Sequence, residues 1–183
     1  RLFNVPKERV PVIPNGIDAA SVQVLAQQPA HGMERLPAGL PVLCVAARLS
    51  QEKDLGLLLD AFHRGQERRP MALVIVGDGP ERAAMESRIA QQGLQERVVF
   101  VGHQENVYPY MRAADLYIHT CQFEGFGYTM LEAMACGTPV IATDCPYGPR
   151  EVIGPNAYGC LVPPGDAATL SAAILSLLDD PQQ

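Results

Sequence analysis

From Pro41 onward the chain alternates two hydrophobic periods, and that alternation decides the fold class. Val42–Ala47 is a short apolar run suited to a buried strand, and Asp54–Arg64 follows with helical spacing at Leu55, Leu58, Leu59 and Phe62. The pattern then repeats, with a strand over Met71–Val76, a helix over Glu81–Gln92, a strand over Arg97–Val101 and a short helix over Val107–Ala113. Asp115–His119 reads as a fourth strand, Pro139–Thr143 as a fifth, Tyr158–Val162 as a sixth, and Ala167–Leu178 as the last helix. Strands separated by helices pair in parallel, and a parallel sheet needs cover on both faces. The expectation is an α/β fold: a doubly wound parallel sheet of about six strands with helices on both faces and right-handed crossovers.

Residues 1–39 read differently. Pro6, Pro11, Pro14, Pro29 and Pro37 punctuate them, only Val10–Ile13 looks strand-like, and Asn15-Gly16 is a turn signal. They are expected to be an irregular linker leading into one domain over residues 40–183. The chain starts with Arg1 rather than Met and reads as an excised part of something longer.

Charge narrows the function. A net charge of −6 argues against a broad nucleic-acid or anionic-lipid surface, so any phosphate site must use a few placed cations and backbone donors. The five cysteines form no C-x-x-C pair and sit mostly in apolar runs, which predicts reduced, buried thiols in a cytoplasmic protein. They and the four histidines show no zinc spacing, and no stretch is long and apolar enough to cross a bilayer.

Open parallel sheets bind ligands beyond the carboxyl ends of their strands. Three loops at such ends carry informative residues: the one after Ala47, the one after Val101, and the Cys121–Gly127 turn. The last opens Glu124-Gly-Phe-Gly-Tyr-Thr-Met-Leu-Glu132, a carboxylate, two glycines, and a helix with a second carboxylate about one and a half turns in. With the helix starting near Phe126, its first turn offers unpaired N–H groups and the positive end of a dipole, a ready phosphate site. The carboxylates are then too far apart to share a proton and would address different parts of one extended ligand. The plain alternative is a dipole partner followed by a solvated surface Glu; Leu131, Ala133, Met134, Ala135 and Cys136 argue against it, because they predict a buried helix.

Arg48 and Lys53 follow the first strand, one a planar fork suited to phosphate oxygens and the other a compact point charge. Solvated loop cations are the competing reading. Gly77-Asp78-Gly79-Pro80 lacks the third glycine of a dinucleotide fingerprint and reads as a tight turn. His103 and His119 close the third and fourth strands without a Ser or Cys nucleophile partner, so a structural role is the simpler expectation for each. Pro149 suits the first position of a helix carrying Arg150 and Glu151.

The Glu124–Glu132 segment, followed by Ala-Met-Ala-Cys-Gly-Thr-Pro-Val-Ile-Ala, resembles the E-x7-E segment of retaining glycosyltransferases of family 4, group 1. Ala47-Arg48-Leu49 with Lys53 is similar to that family's G-R-L…K segment, with alanine in place of glycine. Val76–Pro80, Val99–His103 and Ala114–Ile118 resemble the intervening stretches in order. The resemblance implies the C-terminal, Rossmann-like donor-binding half of a GT-B fold, with an acceptor-binding domain preceding residue 1. It implies that Arg48 and Lys53 hold a donor diphosphate and that Gly125, Phe126, Gly127, Tyr128 and Thr129 surround it. Glu124 would meet the donor sugar as the catalytic-site carboxylate, Glu132 the ribose, and Val101, Gly102 and His103 the base. No cofactor and no metal are expected, since Asp-x-Asp is absent. The donor is expected to be a nucleoside-diphosphate sugar, with UDP favoured because Asp144–Glu151 looks similar to enzymes of bacterial surface polysaccharide assembly. The intact protein would be cytoplasmic, with peripheral membrane contact through the other domain. A GT-B sugar-nucleotide epimerase and a non-catalytic nucleotide-binding module stay open as alternatives.

Overall fold

The computed structural model describes residues 9, 13, 15–154 and 158–180. Six strands form one all-parallel sheet: β1 (Val42–Ala46), β2 (Ala72–Val76), β3 (Val98–Gly102), β4 (Leu116–His119), β5 (Val140–Thr143) and β6 (Cys160–Val162). Their spatial order is β3-β2-β1-β4-β5-β6. The chain therefore builds outward from β1 to β3, then crosses back to lay β4 on the other side of β1. Val42–Ala46 pairs with Ala72–Val76 along one edge, and Leu43 and Cys44 pair with Leu116 and Tyr117 along the other.

The pleat sorts side chains into two cores. On β1, Leu43 and Val45 point to one face while Cys44 and Ala46 point to the other, as a period of two requires. The first face is covered by α2 (Leu55–Gln66), α3 (Arg82–Gln91) and α7 (Ala167–Asp179), through Leu58, Phe62, Ile89, Leu170 and Ile174 among others. The second is covered by α4 (Tyr108–Arg112), α5 (Tyr128–Ala135) and α6 (Pro149–Ile153), through Met111, Met130, Ala133 and Ile153. Pro149 opens α6 as expected. Burying a large apolar side chain contributes about 1.5–3 kcal/mol, so these two layers dominate stability.

The sequence expectations differ from the structure in two places. Residues 19–25 are a helix, α1 (Ala19–Leu25), started by Asp18, whose Oδ1 accepts from Ser21 N at 3.1 Å. Its Val22 and Ala26 are buried, and the stretch after it is tied down by bonds from Asn106 Nδ2 to Leu25 O (3.0 Å), Tyr110 OH to His31 O (3.0 Å) and Arg35 to Phe100 O (3.0 Å). Of the strand expected over Val10–Ile13, residues 10–12 lie outside the described residues, and Ile13 is neither helix nor strand. Second, α5 begins at Tyr128 rather than near Phe126, because Gly127 at φ 88° takes the left-handed conformation and serves as its N-cap. Only Met130 and Ala133 of α5 are fully buried. Its other apolar residues are half-covered, since the sheet lies beneath it and neighbouring helices only flank it. Among the described residues no helix is long and apolar enough to cross a membrane.

Candidate functional site

The strand order reverses between β1 and β4, so their carboxyl ends form the switch point of the sheet. Two loops meet there. The loop after β1 carries Arg48 and a turn of 3-10 helix over Gln51–Lys53; the loop after β4 carries Cys121–Gly127 and leads into α5. They are stitched by Gln122 N donating to Glu52 O (2.9 Å) and Thr120 Oγ1 donating to Lys53 O (2.9 Å). Beneath them the buried Tyr117 hydroxyl donates to Ala46 O at 3.1 Å.

This stitching presents Lys53 to Glu124, with Nζ 2.6 Å from Oε2. His119, at the end of β4, puts Nε2 3.2 Å from the same oxygen. The contact is close without being an aligned hydrogen bond. The second carboxylate oxygen accepts from Gly125 N at 2.9 Å. The His119 imidazole, and then the Lys53 ammonium, hold the Glu124 carboxyl down at about 2 against burial, which pushes it up. Burial opposes charge on His119 too, but Cys121 and Glu124 outweigh it, and its pKa lies above the ordinary histidine value. Glu124 is consequently ionised throughout the neutral range.

Next to this cluster, α5 starts without a side-chain cap, and Met130 N reaches back only to Gly127 O. The N–H groups of Tyr128 and Thr129 face the switch point with the helix dipole behind them. Gly127 has two reasons to be glycine, its φ and a Cβ that would come 2.3 Å from Met130 Cε. A Cβ on Gly125 would meet open space. Phe126 packs edge-on against Tyr128, ring centroids 5.1 Å apart.

A cavity of about 540 Å³ runs from this helix mouth along the strand ends, walled by Arg48 and Ala47, by Gly77, by Thr129, and by His103 and Gln104 after β3. The loops after Ala47 and after Val101 thus share this cavity with Thr129 of α5, while the Cys121–Gly127 turn does not line it. Val101 and Gly102 stand at its border with their carbonyls engaged, by Gln104 Nε2 (2.7 Å) and Gly77 N (2.8 Å). The Gly77–Pro80 turn is structural: a Cβ on Gly77 would lie 1.9 Å from Ala47 O.

Glu132 stands apart from that wall, four residues into α5 and about 6 Å along its axis. Burial raises its pKa, and the Tyr108 hydroxyl, donating at 3.4 Å, partly offsets this.

Of the residues singled out in the sequence, Lys53 and Glu124 meet, and Arg48, Thr129 and His103 line the cavity; His119 was expected to be structural. The structure puts His119 against Glu124 and within 3.4 Å of Thr129 Oγ1. Sequence reasoning also missed Tyr108, and it missed that the Gly125 N–H is taken by Glu124 itself. The ligating atoms of His119, Cys121 and Glu124 lie within 4.8 Å of one another, a grouping that could hold a metal ion, and Glu124 there also meets the Lys53 ammonium.

Known proteins resemble this chain in sequence and fold. The chain is 31% identical over 191 residues to a 2-deoxystreptamine N-acetyl-D-glucosaminyltransferase of Streptomyces fradiae, covering 100% of this chain and 45% of that protein. It is 26% identical over 178 residues to the N-acetylgalactosamine-N,N'-diacetylbacillosaminyl-diphospho-undecaprenol 4-alpha-N-acetylgalactosaminyltransferase of Campylobacter jejuni, covering 97% and 47%. The crystal structure of Anabaena HepE in complex with UDP superposes with a TM-score of 0.80 at 30% identity, over 97% of this chain and 50% of that one. The chain spans about half the length of these relatives. The Rossmann-like half of a GT-B fold is borne out. The family model described as glycosyl transferases group 1 matches residues 27–183, and the chain belongs to that family.

Proposed function

We propose that this chain is the donor-binding domain of a retaining, metal-independent glycosyltransferase that moves a sugar from a nucleoside-diphosphate sugar to an acceptor. The observation that carries the reading is the meeting of Lys53 and Glu124 at an uncapped helix mouth, beside a cavity shared by Arg48, Thr129 and His103. Arg48 and Lys53 bind the diphosphate together with the open N–H groups of Tyr128 and Thr129; Gly125, Phe126 and Gly127 leave room for it. Glu124, always ionised, accepts hydrogen bonds from sugar hydroxyls and donates no proton. Glu132 accepts from the ribose, and Val101, Gly102 and His103 border the base. As the sugar departs, charge grows on the leaving diphosphate, where two cations and a helix dipole are already placed.

UDP is the favoured nucleotide, supported by its presence in the HepE structure. A role in bacterial surface polysaccharide or glycolipid assembly is supported by the Campylobacter relative, whose acceptor is a diphospho-undecaprenol lipid. The acceptor would be held by a second domain, consistent with relatives about twice as long, in a cytoplasmic protein touching the membrane only at its periphery. The Lys53 ammonium on Glu124 supports chemistry without a metal. The test is to incubate the full-length protein with UDP-sugars and candidate acceptors in excess chelator. A product of retained configuration is expected. An inverted product, activity lost with the metal, or a sugar changed without any acceptor (the epimerase outcome) would refute it.

A further inference from the structure

Beneath the Glu124 turn lie two cysteines that the proposed transfer does not use. Cys121, 0% exposed, follows β4, and Cys145, 3% exposed, follows β5; their sulfurs are 3.0 Å apart. They are held there by the fold. Cys121 N donates to Thr143 Oγ1 (2.9 Å), and that hydroxyl donates back to Cys121 O (2.9 Å), so the ends of β4 and β5 are locked side by side. The segment after Cys145 presses on the Glu124 turn: Glu124 N points to Pro146 O at 3.5 Å, and a Cβ on Gly148 would come 2.7 Å from Phe126 O. A ring nitrogen of His119 lies within 4.8 Å of Cys121 Sγ.

We propose that Cys121 and Cys145 are a modification site, at which hydrogen peroxide converts two thiols into one intramolecular disulfide. The chemistry balances in two steps. The Cys145 sulfur, the nearer of the two to solvent, attacks the peroxide, giving a sulfenic acid and water; the Cys121 thiol then displaces the hydroxyl, giving the S–S bond and a second water. The peroxide is reduced by two electrons and both thiol protons leave in water. A dithiol reductant reverses the change by exchange. A disulfide needs sulfurs about 2.05 Å apart, so closure draws the two loops together by about 1 Å. That movement falls under the carboxylate and the helix mouth. The oxidised chain is therefore expected to bind UDP about tenfold more weakly, a consequence that rests on the nucleotide reading of the site.

The experiment treats the folded chain with hydrogen peroxide in chelator, then unfolds it in denaturant, blocks free thiols with iodoacetamide, and maps peptides by mass. The expected result is one cross-linked pair, Cys121 with Cys145, lighter by two hydrogen atoms, with Cys44, Cys136 and Cys160 alkylated and the cross-link absent after dithiothreitol. In Cys121→Ser and in Cys145→Ser the remaining partner should stay alkylatable; using both variants guards against one that fails to fold. Sulfinic or sulfonic acid on a lone cysteine, a cross-link involving another cysteine, or protection that chelator abolishes would overturn the proposal. UDP titration of reduced and oxidised chain is the second arm. A disulfide that leaves affinity unchanged overturns the coupling, whereas UDP ignored by the reduced chain as well refutes the nucleotide reading and leaves the thiol chemistry decided by mass.

Discussion

Lys53 and Glu124, 71 residues apart in sequence, meet with Nζ 2.6 Å from Oε2 across the point where the sheet reverses its strand order. The ion pair is four-fifths buried on both sides, so solvent screens it less than a surface pair, and it has a measurable acid signature. Glu124 falls from 4.5 to about 2 in the folded chain. A lowered carboxyl pKa contributes stability above the unfolded value, and the contribution is lost as pH falls from 4.5 toward 2. Glu124→Gln should cost on the order of 2 kcal/mol at neutral pH and flatten that acid limb, measured by urea unfolding at a series of pH values.

The two glycines of the turn should separate folding from binding. Gly127→Ala puts a side chain on a left-handed residue and against Met130, and should cost about 1–3 kcal/mol by thermal or urea unfolding. Gly125→Ala meets no protein atom, so its stability should match the parent. Its UDP affinity should nevertheless fall several-fold by calorimetry; unchanged affinity would place the ligand elsewhere.

Arg48 is exposed and lines the cavity. Arg48→Ala should leave the unfolding curve in place and weaken UDP binding by about tenfold or more, the loss of one charged hydrogen bond of roughly 1.5–3 kcal/mol. Equal affinity in parent and variant would remove Arg48 from the site.

Tyr108 tunes the second carboxylate. Its hydroxyl lowers the Glu132 pKa that burial raises, so Tyr108→Phe should push Glu132 further up. If ionised Glu132 holds the ribose, UDP binding in the variant should then weaken at a higher pH than in the parent as the buffer is acidified. Superimposable pH–affinity curves would contradict that role.

Much of this was legible in the sequence, because strand and helix periods are local. Every strand from residue 42 onward lies within two residues of its expected bounds. Strand order is not local, and nothing in the residues around Lys53 announces that β4, rather than β2 alone, will lie beside β1. The meeting of Lys53 with Glu124 was reachable only through the rule that ligands sit at switch points. The α1 helix was hidden by the prolines around it, although Asp18 with Ser21, ahead of Val22 and Ala26, carried a capping signal. His119 looked structural because its partner belongs to a turn whose path only the folded backbone shows. The Cys121–Cys145 pair, 24 residues apart, has no spacing motif at all.

The crossover has a consequence for biosynthesis. Each half of the proposed anion pocket is supplied by a different wing of the sheet, Arg48 and Lys53 by one and the helix mouth by the other. A nascent chain released before β4 could complete three paired strands and still present no cradle for a diphosphate. On the proposed function, nucleotide binding would report that the central strand has acquired its second neighbour, and so serve as a probe of when this domain finishes folding.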